Sequence, residues 1–276
     1  MTTTNTNDKS TEEKAGVEGI FDRAAPTYDR VGPRFFGYFG QRLVELAAIK
    51  TGSTVLDVAA GRGAILFPMA EKVGQAGSVT GIDFSGEMVR QTAAEINERG
   101  LKNTQMLQMD AEHLDFEAAS FDYVTCGFAL FFFPNPAHAL TEFKRVLKPG
   151  GLLAISTWGK ADPLWQWTSA LFQRPHSQNS KSRPSFDTPA DLQNDLQQAG
   201  FADIRVEVEE ADFPYQGVED WWATQWSHGM RAMWEKMPPA MLEAKKDAAF
   251  TQLNQMQTPA GIHQVWQALF TFASKP

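Results

Sequence analysis

Val55-Leu56-Asp57-Val58-Ala59-Ala60-Gly61-Arg62-Gly63 runs from an apolar, β-branched stretch into a turn of small residues. The first half suits a buried strand, and the glycines let a ligand approach the backbone where the next helix presents free N–H groups. That helix is expected over Ile65 to Val73. Outward from it, strand-like runs at Thr54–Val58, Ser78–Ile82, Thr104–Met109, Phe121–Thr125 and Leu152–Ser156 alternate with helical patterns at Gly86–Arg99 and Ala137–Leu147. Strand and helix alternating at this spacing predict an α/β fold: a Rossmann-like, seven-stranded, mostly parallel sheet with helices on both faces.

Three acids stand at successive strand ends: Asp57 in the first strand, Asp83 after the second and Asp110 after the third. Ligands of open α/β sheets bind outside the carboxyl ends of the strands, so the three carboxylates converge on one crevice. A dinucleotide G-x-G-x-x-G would need a third glycine after Gly61 and Gly63, but that position is Leu66. A nicotinamide-dependent oxidoreductase is therefore disfavoured.

These residues, with Arg145-Val146-Leu147-Lys148-Pro149-Gly150-Gly151 before the fifth strand, resemble class I S-adenosylmethionine-dependent methyltransferases over roughly Phe21 to Trp158. The segment Phe21-Asp22-Arg23-Ala24-Ala25-Pro26-Thr27-Tyr28-Asp29 is most similar to the ubiquinone and menaquinone methyltransferases. The resemblance implies S-adenosyl-L-methionine as cofactor. It puts Asp57 near the methionine amino group and the backbone of Ala59, Gly61 and Gly63 along the methionine carboxylate and ribose. It further implies Asp83 on the ribose hydroxyls, Phe84 on the adenine, and Asp110 with the Ala111 amide at the adenine edge, Met88 and Glu112 joining the set. Gly127 and Phe128 would line the sulfonium, and Tyr28 would close over the methionine end. Ala59 stands where that family has its first loop glycine, which predicts ordinary backbone angles there. Leu130-Phe131-Phe132-Phe133 replaces the Arg-Asn pair of the quinone enzymes, implying a greasier acceptor.

All eight tryptophans follow residue 157, whereas 16 of the 21 glycines precede residue 152, which separates a cofactor half from an acceptor half. Residues 1–15 are polar and expected as a disordered tail, with a helical lid over 16–50. The cofactor-binding unit is expected over 51–212 and 259–276, interrupted by a helical cap at 213–258. Arg174 to Thr188 reads as a loop, Pro189–Ala199 as a helix and Phe201–Glu210 as a strand. Trp222, Trp226, Met230, Met233 and Met237 fall on one face of a single helix, and a second helix is expected over Ala240–Met256. Ile262–Ala273 reads as the closing strand. The acceptor-facing residues are expected to be Phe131, Phe132, Trp165, Trp222, Trp226 and Met230, and His228 is the candidate general base.

The formal charge of −8, without a Lys/Arg cluster, excludes a nucleic-acid surface. No apolar run approaches the roughly 20 residues of a bilayer span, and no metal-ligand spacing is present. A single Cys126 and an N-terminus without an apolar stretch predict a cytoplasmic address. Oligomeric state is not legible. The expected activity is transfer of a methyl group to an O, N or C nucleophile of a small hydrophobic molecule, in natural-product or quinone-like metabolism. A protein of the same fold that binds the cofactor and catalyses a non-methylating reaction is the alternative.

Overall fold

The computed structural model describes residues 6–171 and 186–276. In chain order the helices are α1 (Thr6–Ala24), α2 (Phe35–Leu46), α3 (Leu66–Val73), α4 (Gly86–Glu98), α5 (Pro136–Val146), α6 (Thr168–Leu171), α7 (Pro189–Gln198), α8 (Val218–Trp226), α9 (Arg231–Trp234) and α10 (Pro239–Met256). The strands are β1 (Thr54–Val58), β2 (Ser78–Asp83), β3 (Thr104–Gln108), β4 (Phe121–Gly127), β5 (Leu147–Trp158), β6 (Ala202–Asp212) and β7 (Val265–Ser274). They form one seven-stranded sheet in the order β3-β2-β1-β4-β5-β7-β6. β7 alone is reversed, pairing antiparallel with both β5 and β6.

β1 shows why the central strands read as apolar runs. Val55 enters the core with Phe39, Leu66 and Met69, while Leu56 and Val58 enter the opposite core with Ile82, Val124 and Phe143. Alternate side chains of a strand face opposite sides, so helices on both faces demand apolar residues at both parities. The chain leaves β1 towards β2 on one side and reaches β4 on the other. That reversal opens the crevice at the β1 and β4 carboxyl ends. Helix starts are set locally: the side chains of Ser85, Asn135 and Thr188 accept the Met88, His138 and Asp191 amides, the N-cap bond that satisfies an otherwise orphaned donor.

Gly40 on α2 faces the β1–α3 loop so closely that an added Cβ would lie 2.4 Å from the Ala64 carbonyl oxygen. Backbone cannot yield as a flexible side chain does, so Gly40→Ala should cost about 1–3 kcal/mol. The expected readout is a melting temperature lower by about 2–4 °C per kcal/mol in a chain of this size.

Two expectations are corrected. Residues 6–15 are not a disordered tail but the first half of α1. Glu, Lys and Ala are adequate helix formers, and the helix is fastened by distant partners, Lys14 to Asp110 and Glu112 and Asp22 to Ser85. The Trp/Met face is not one helix, because Ser227-His228-Gly229 breaks it into α8 and α9. Gly229 packs against Phe132, where an added Cβ would lie 3.0 Å from its Cζ. The loop expected from Arg174 to Thr188 falls mostly on 172–185, outside the described residues; Phe186 is buried. Among the described residues no helix is long and apolar enough to cross a membrane.

Candidate active site

The β1–α3 turn carries three residues in the left-handed region: Ala59 at φ 54°, Gly61 at 51° and Gly63 at 84°. Gly63 is obligatory, since a Cβ there would lie 2.4 Å from the Phe67 ring. Ala59 does not keep ordinary angles, contrary to expectation. Left-handed geometry costs an L-residue about 1–2 kcal/mol, partly offset because alanine loses less chain entropy on folding than glycine. Ala59→Gly should thus stabilise the fold by about 0.5–1 kcal/mol, read by denaturant unfolding. Strain of this kind also marks Asp29 at φ 52° and Phe128 at 51°, and the three residues border one cavity.

The turn orders two carboxylates. Asp83 accepts the Gly61 amide on Oδ2 at 2.8 Å and the Ser85 amide on Oδ1 at 2.9 Å. Burial raises its pKa to about 6, against the pull of those amides. Asp57 accepts the Thr125 hydroxyl on Oδ1 at 2.7 Å, and burial, helped by the Asp83 charge, raises its pKa to about 7 against that bond and the nearby Leu66 amide. Its Oδ2 is buried with no partner among the described residues. A buried carboxylate oxygen without a donor is the complement of an ammonium group.

Two cavities meet at this turn. The first, about 800 Å³, is bordered by Asp83, Phe84, Met88, Asp110, Ala111 and Glu112. The second, about 940 Å³, is bordered by Asp57 and Gly63. Tyr28, Ala59, Gly61, Gly127 and Phe128 line both. Every residue expected to touch the cofactor thus borders one of these two adjoining cavities. Tyr28 stacks on Phe36, ring centroids 4.9 Å apart, and burial pushes its phenol pKa up, so it stays neutral. Phe128 stacks on Trp158 at 3.9 Å. Aromatic faces at the junction suit a sulfonium.

The acceptor-side expectations fare differently. Phe132 borders the first cavity, together with Phe21, Phe133 and Pro134. Phe131, Trp165, Trp222, Trp226 and Met230 line neither cavity. Phe131 packs against the two cores of the sheet, while the other four belong to a separate cap core around Trp221 and Trp234. The physical reason is that the insertion needs its own core, and large aromatics bury the most area. His228 also lines neither cavity. It packs edge-on to Phe35 at 6.0 Å, its Nδ1 accepts the Met230 amide, and burial lowers its pKa to about 4. A neutral, enclosed imidazole away from the crevice is not placed to take a proton there.

Sequence reasoning missed several residues. Lys14 reaches Asp110 and Glu112, 2.6 Å from each, at the rim of the first cavity. Burial pulls its ammonium pKa down, but bonds to the two acids outweigh this and the net shift is upward. Asp22 accepts from the Ser85 hydroxyl and the Glu87 amide, tying α1 to the start of α4. Ser156 borders the second cavity with a buried, unpartnered Oγ. Its signal was available: a hydroxyl closing the apolar run Leu152-Leu153-Ala154-Ile155.

The model of the ubiE/COQ5 methyltransferase family matches residues 7–167. The aklanonic acid methyltransferase DauC of Streptomyces sp. (strain C5) is 43% identical over 144 residues, covering 52% of this chain and 66% of that protein. The nocamycin O-methyltransferase of Saccharothrix syringae is 32% identical over 236 residues, covering 80% and 84%. Among solved structures, phosphoethanolamine N-methyltransferase 2 of Haemonchus contortus in complex with S-adenosyl-L-methionine shares the fold, with TM-score 0.57 at 18% identity over 95% of this chain and 56% of that one. The family match spans nearly all of α1, α2, the glycine turn and all three strand-end acids, so the chain belongs to the ubiE/COQ5 methyltransferase family and is an S-adenosylmethionine-dependent enzyme.

Proposed function

We propose that the chain methylates an oxygen of a small, ring-rich, largely apolar molecule, with the cofactor's adenosine in the first cavity and its methionine portion in the second. The observation that carries this reading is the junction at Gly127, Phe128 and Tyr28. It has polar acceptors on both outer sides, Asp83 and Asp110 in one cavity and Asp57 in the other. Phe21 and Phe132, edge-on at 5.1 Å, supply an apolar wall beside it. The relative named nocamycin O-methyltransferase, matched over 80% of this chain, favours an oxygen acceptor over nitrogen or carbon.

When bound, the cofactor supplies an electrophilic methyl group. The chain's part is to hold and shield. Asp83 takes the ribose hydroxyls, Asp57 and Ser156 the ammonium, and Phe84 the adenine face. Phe128, fixed by Trp158, and Tyr28, fixed by Phe36, exclude water from the junction. Alignment alone reaches effective molarities of roughly 10⁵ M or more, so no dedicated base is required. A phenolic or carboxylic acceptor that reaches the site ionised needs none.

Incubation with methyl-labelled cofactor and a panel of hydroxylated or carboxylated polycyclic compounds tests the reading. Label in an O-methyl product is expected. Turnover of an acceptor without label transfer, or label on nitrogen or carbon alone, would overturn it.

A further inference from the structure

Arg62 lies between the two turn glycines, its side chain only 9% exposed, and lines the second cavity with Asp57. Its guanidinium donates from Nη1 to the Ala25 carbonyl at 2.8 Å and to Gln91 Oε1 at 2.6 Å, and from Nη2 to Glu95 Oε2 at 3.2 Å. Nε is buried with no partner among the described residues. Glu95 is shared: Arg30 and Arg99 also pair with it. Glu87, in the first turn of α4, is engaged by Arg90. Three guanidinium groups therefore converge on one carboxylate within a chain of net charge −8. Burial and the neighbouring Arg30 lower the Arg62 pKa, the response of a cation short of counter-charge. Arg62 and Asp57 border one cavity, and each carries a buried polar atom without a partner among the described residues, a donor on one and an acceptor on the other, a pair complementary to a zwitterion.

We propose that Arg62 binds the carboxylate of the cofactor's methionine portion and, through the Ala25 carbonyl, couples that contact to closure of α1. Ala25 directly follows α1, whose middle is fastened by Lys14. One guanidinium thus touches both the ligand cavity and the lid. The inference rests on the reading that the methionine end lies beside Asp57, and makes Arg62 a binding and positioning residue rather than a catalytic one.

The test compares S-adenosylhomocysteine with 5′-methylthioadenosine, which shares the adenosine and sulfur but lacks the amino-acid end. Binding is measured by calorimetry without acceptor, on wild type, Arg62→Gln and Arg62→Lys. Wild type should prefer S-adenosylhomocysteine strongly. Arg62→Gln should weaken that ligand by about tenfold or more while leaving 5′-methylthioadenosine within about threefold, with Arg62→Lys between. S-adenosylhomocysteine should also slow amide exchange over residues 17–30 in wild type and not in Arg62→Gln. Equal losses for both ligands would reduce Arg62 to a structural role and overturn the proposal. Intact cofactor binding with a raised KM for a carboxylated acceptor would assign the subsite to the acceptor instead, and also overturn it. If wild type fails to prefer S-adenosylhomocysteine, the placement of the methionine end fails first. If Arg62→Gln does not fold, the ligand ratio in Arg62→Lys decides.

Discussion

Replacing Asp83 by alanine is expected to weaken S-adenosylhomocysteine binding by about tenfold to 150-fold. The side chain accepts one backbone amide on each oxygen, from Gly61 and Ser85, and each carboxylate oxygen keeps a further lone pair directed elsewhere. Two ribose hydroxyls on those lone pairs are hydrogen bonds to a charged group, worth about 1.5–3 kcal/mol in all. The same substitution removes the acceptor of the Gly61 amide, so part of the loss comes from a loosened turn. Asp83→Asn separates the two contributions, because it keeps the volume and one acceptor oxygen. Calorimetry with both variants is the check. Unchanged affinity in Asp83→Ala would remove the ribose from this site.

Cofactor affinity should also fall with acid, by about tenfold between pH 7.5 and 5.5, because of Asp57. Burial holds its pKa near 7 in the cofactor-free protein. An ammonium group on its orphaned oxygen requires the ionised form. Below pH 7 binding must therefore expel a proton, at a cost approaching tenfold in affinity per pH unit, with partial compensation from fuller protonation of the ligand amine. Asp57→Asn should bind more weakly at neutral pH and lose most of this dependence, keeping the smaller fall near pH 6 that Asp83 contributes. A wild-type affinity independent of pH from 5.5 to 7.5 would contradict the assignment. Stability of the cofactor-free fold runs the opposite way. Asp29 and Asp83, with pKa values raised to about 6, and Asp57, raised to about 7, stabilise the cofactor-free fold while neutral, below about pH 4. That contribution is lost as pH rises through 6 and 7. Above that range the crevice holds buried charge awaiting partners, and cofactor binding should raise the melting temperature most there.

Most of the cofactor crevice was legible in the sequence because it is built from local rules. A strand, a small-residue turn and a helix place Asp57, Gly61 and Gly63 from sequence order alone, and strand ends deliver Asp83 and Asp110 to the same edge. Contacts between distant segments were not legible. Thr6 to Lys14 reads as polar tail, since the acids that hold it lie about a hundred residues away. Arg62 had no reading until α4 brought Gln91 and Glu95 against it. The tryptophans misled for a different reason. Apolar periodicity reports that a face is buried but not against what, and the cap uses Trp165, Trp221, Trp222 and Trp234 to build its own core. His228 follows the same logic, placed by its chain neighbours behind Phe35.

The central claim is that one S-adenosylmethionine-sized ligand spans both cavities through their shared wall. A crystal structure of the complex with S-adenosylhomocysteine tests it most directly. The ribose hydroxyls should lie within hydrogen-bond distance of Asp83, the amino group on Asp57 Oδ2, and the sulfur beside Gly127 and Phe128 at the junction. Adenosine bound in the second cavity, or a ligand confined to one cavity with Asp57 Oδ2 still unpaired, would contradict the account.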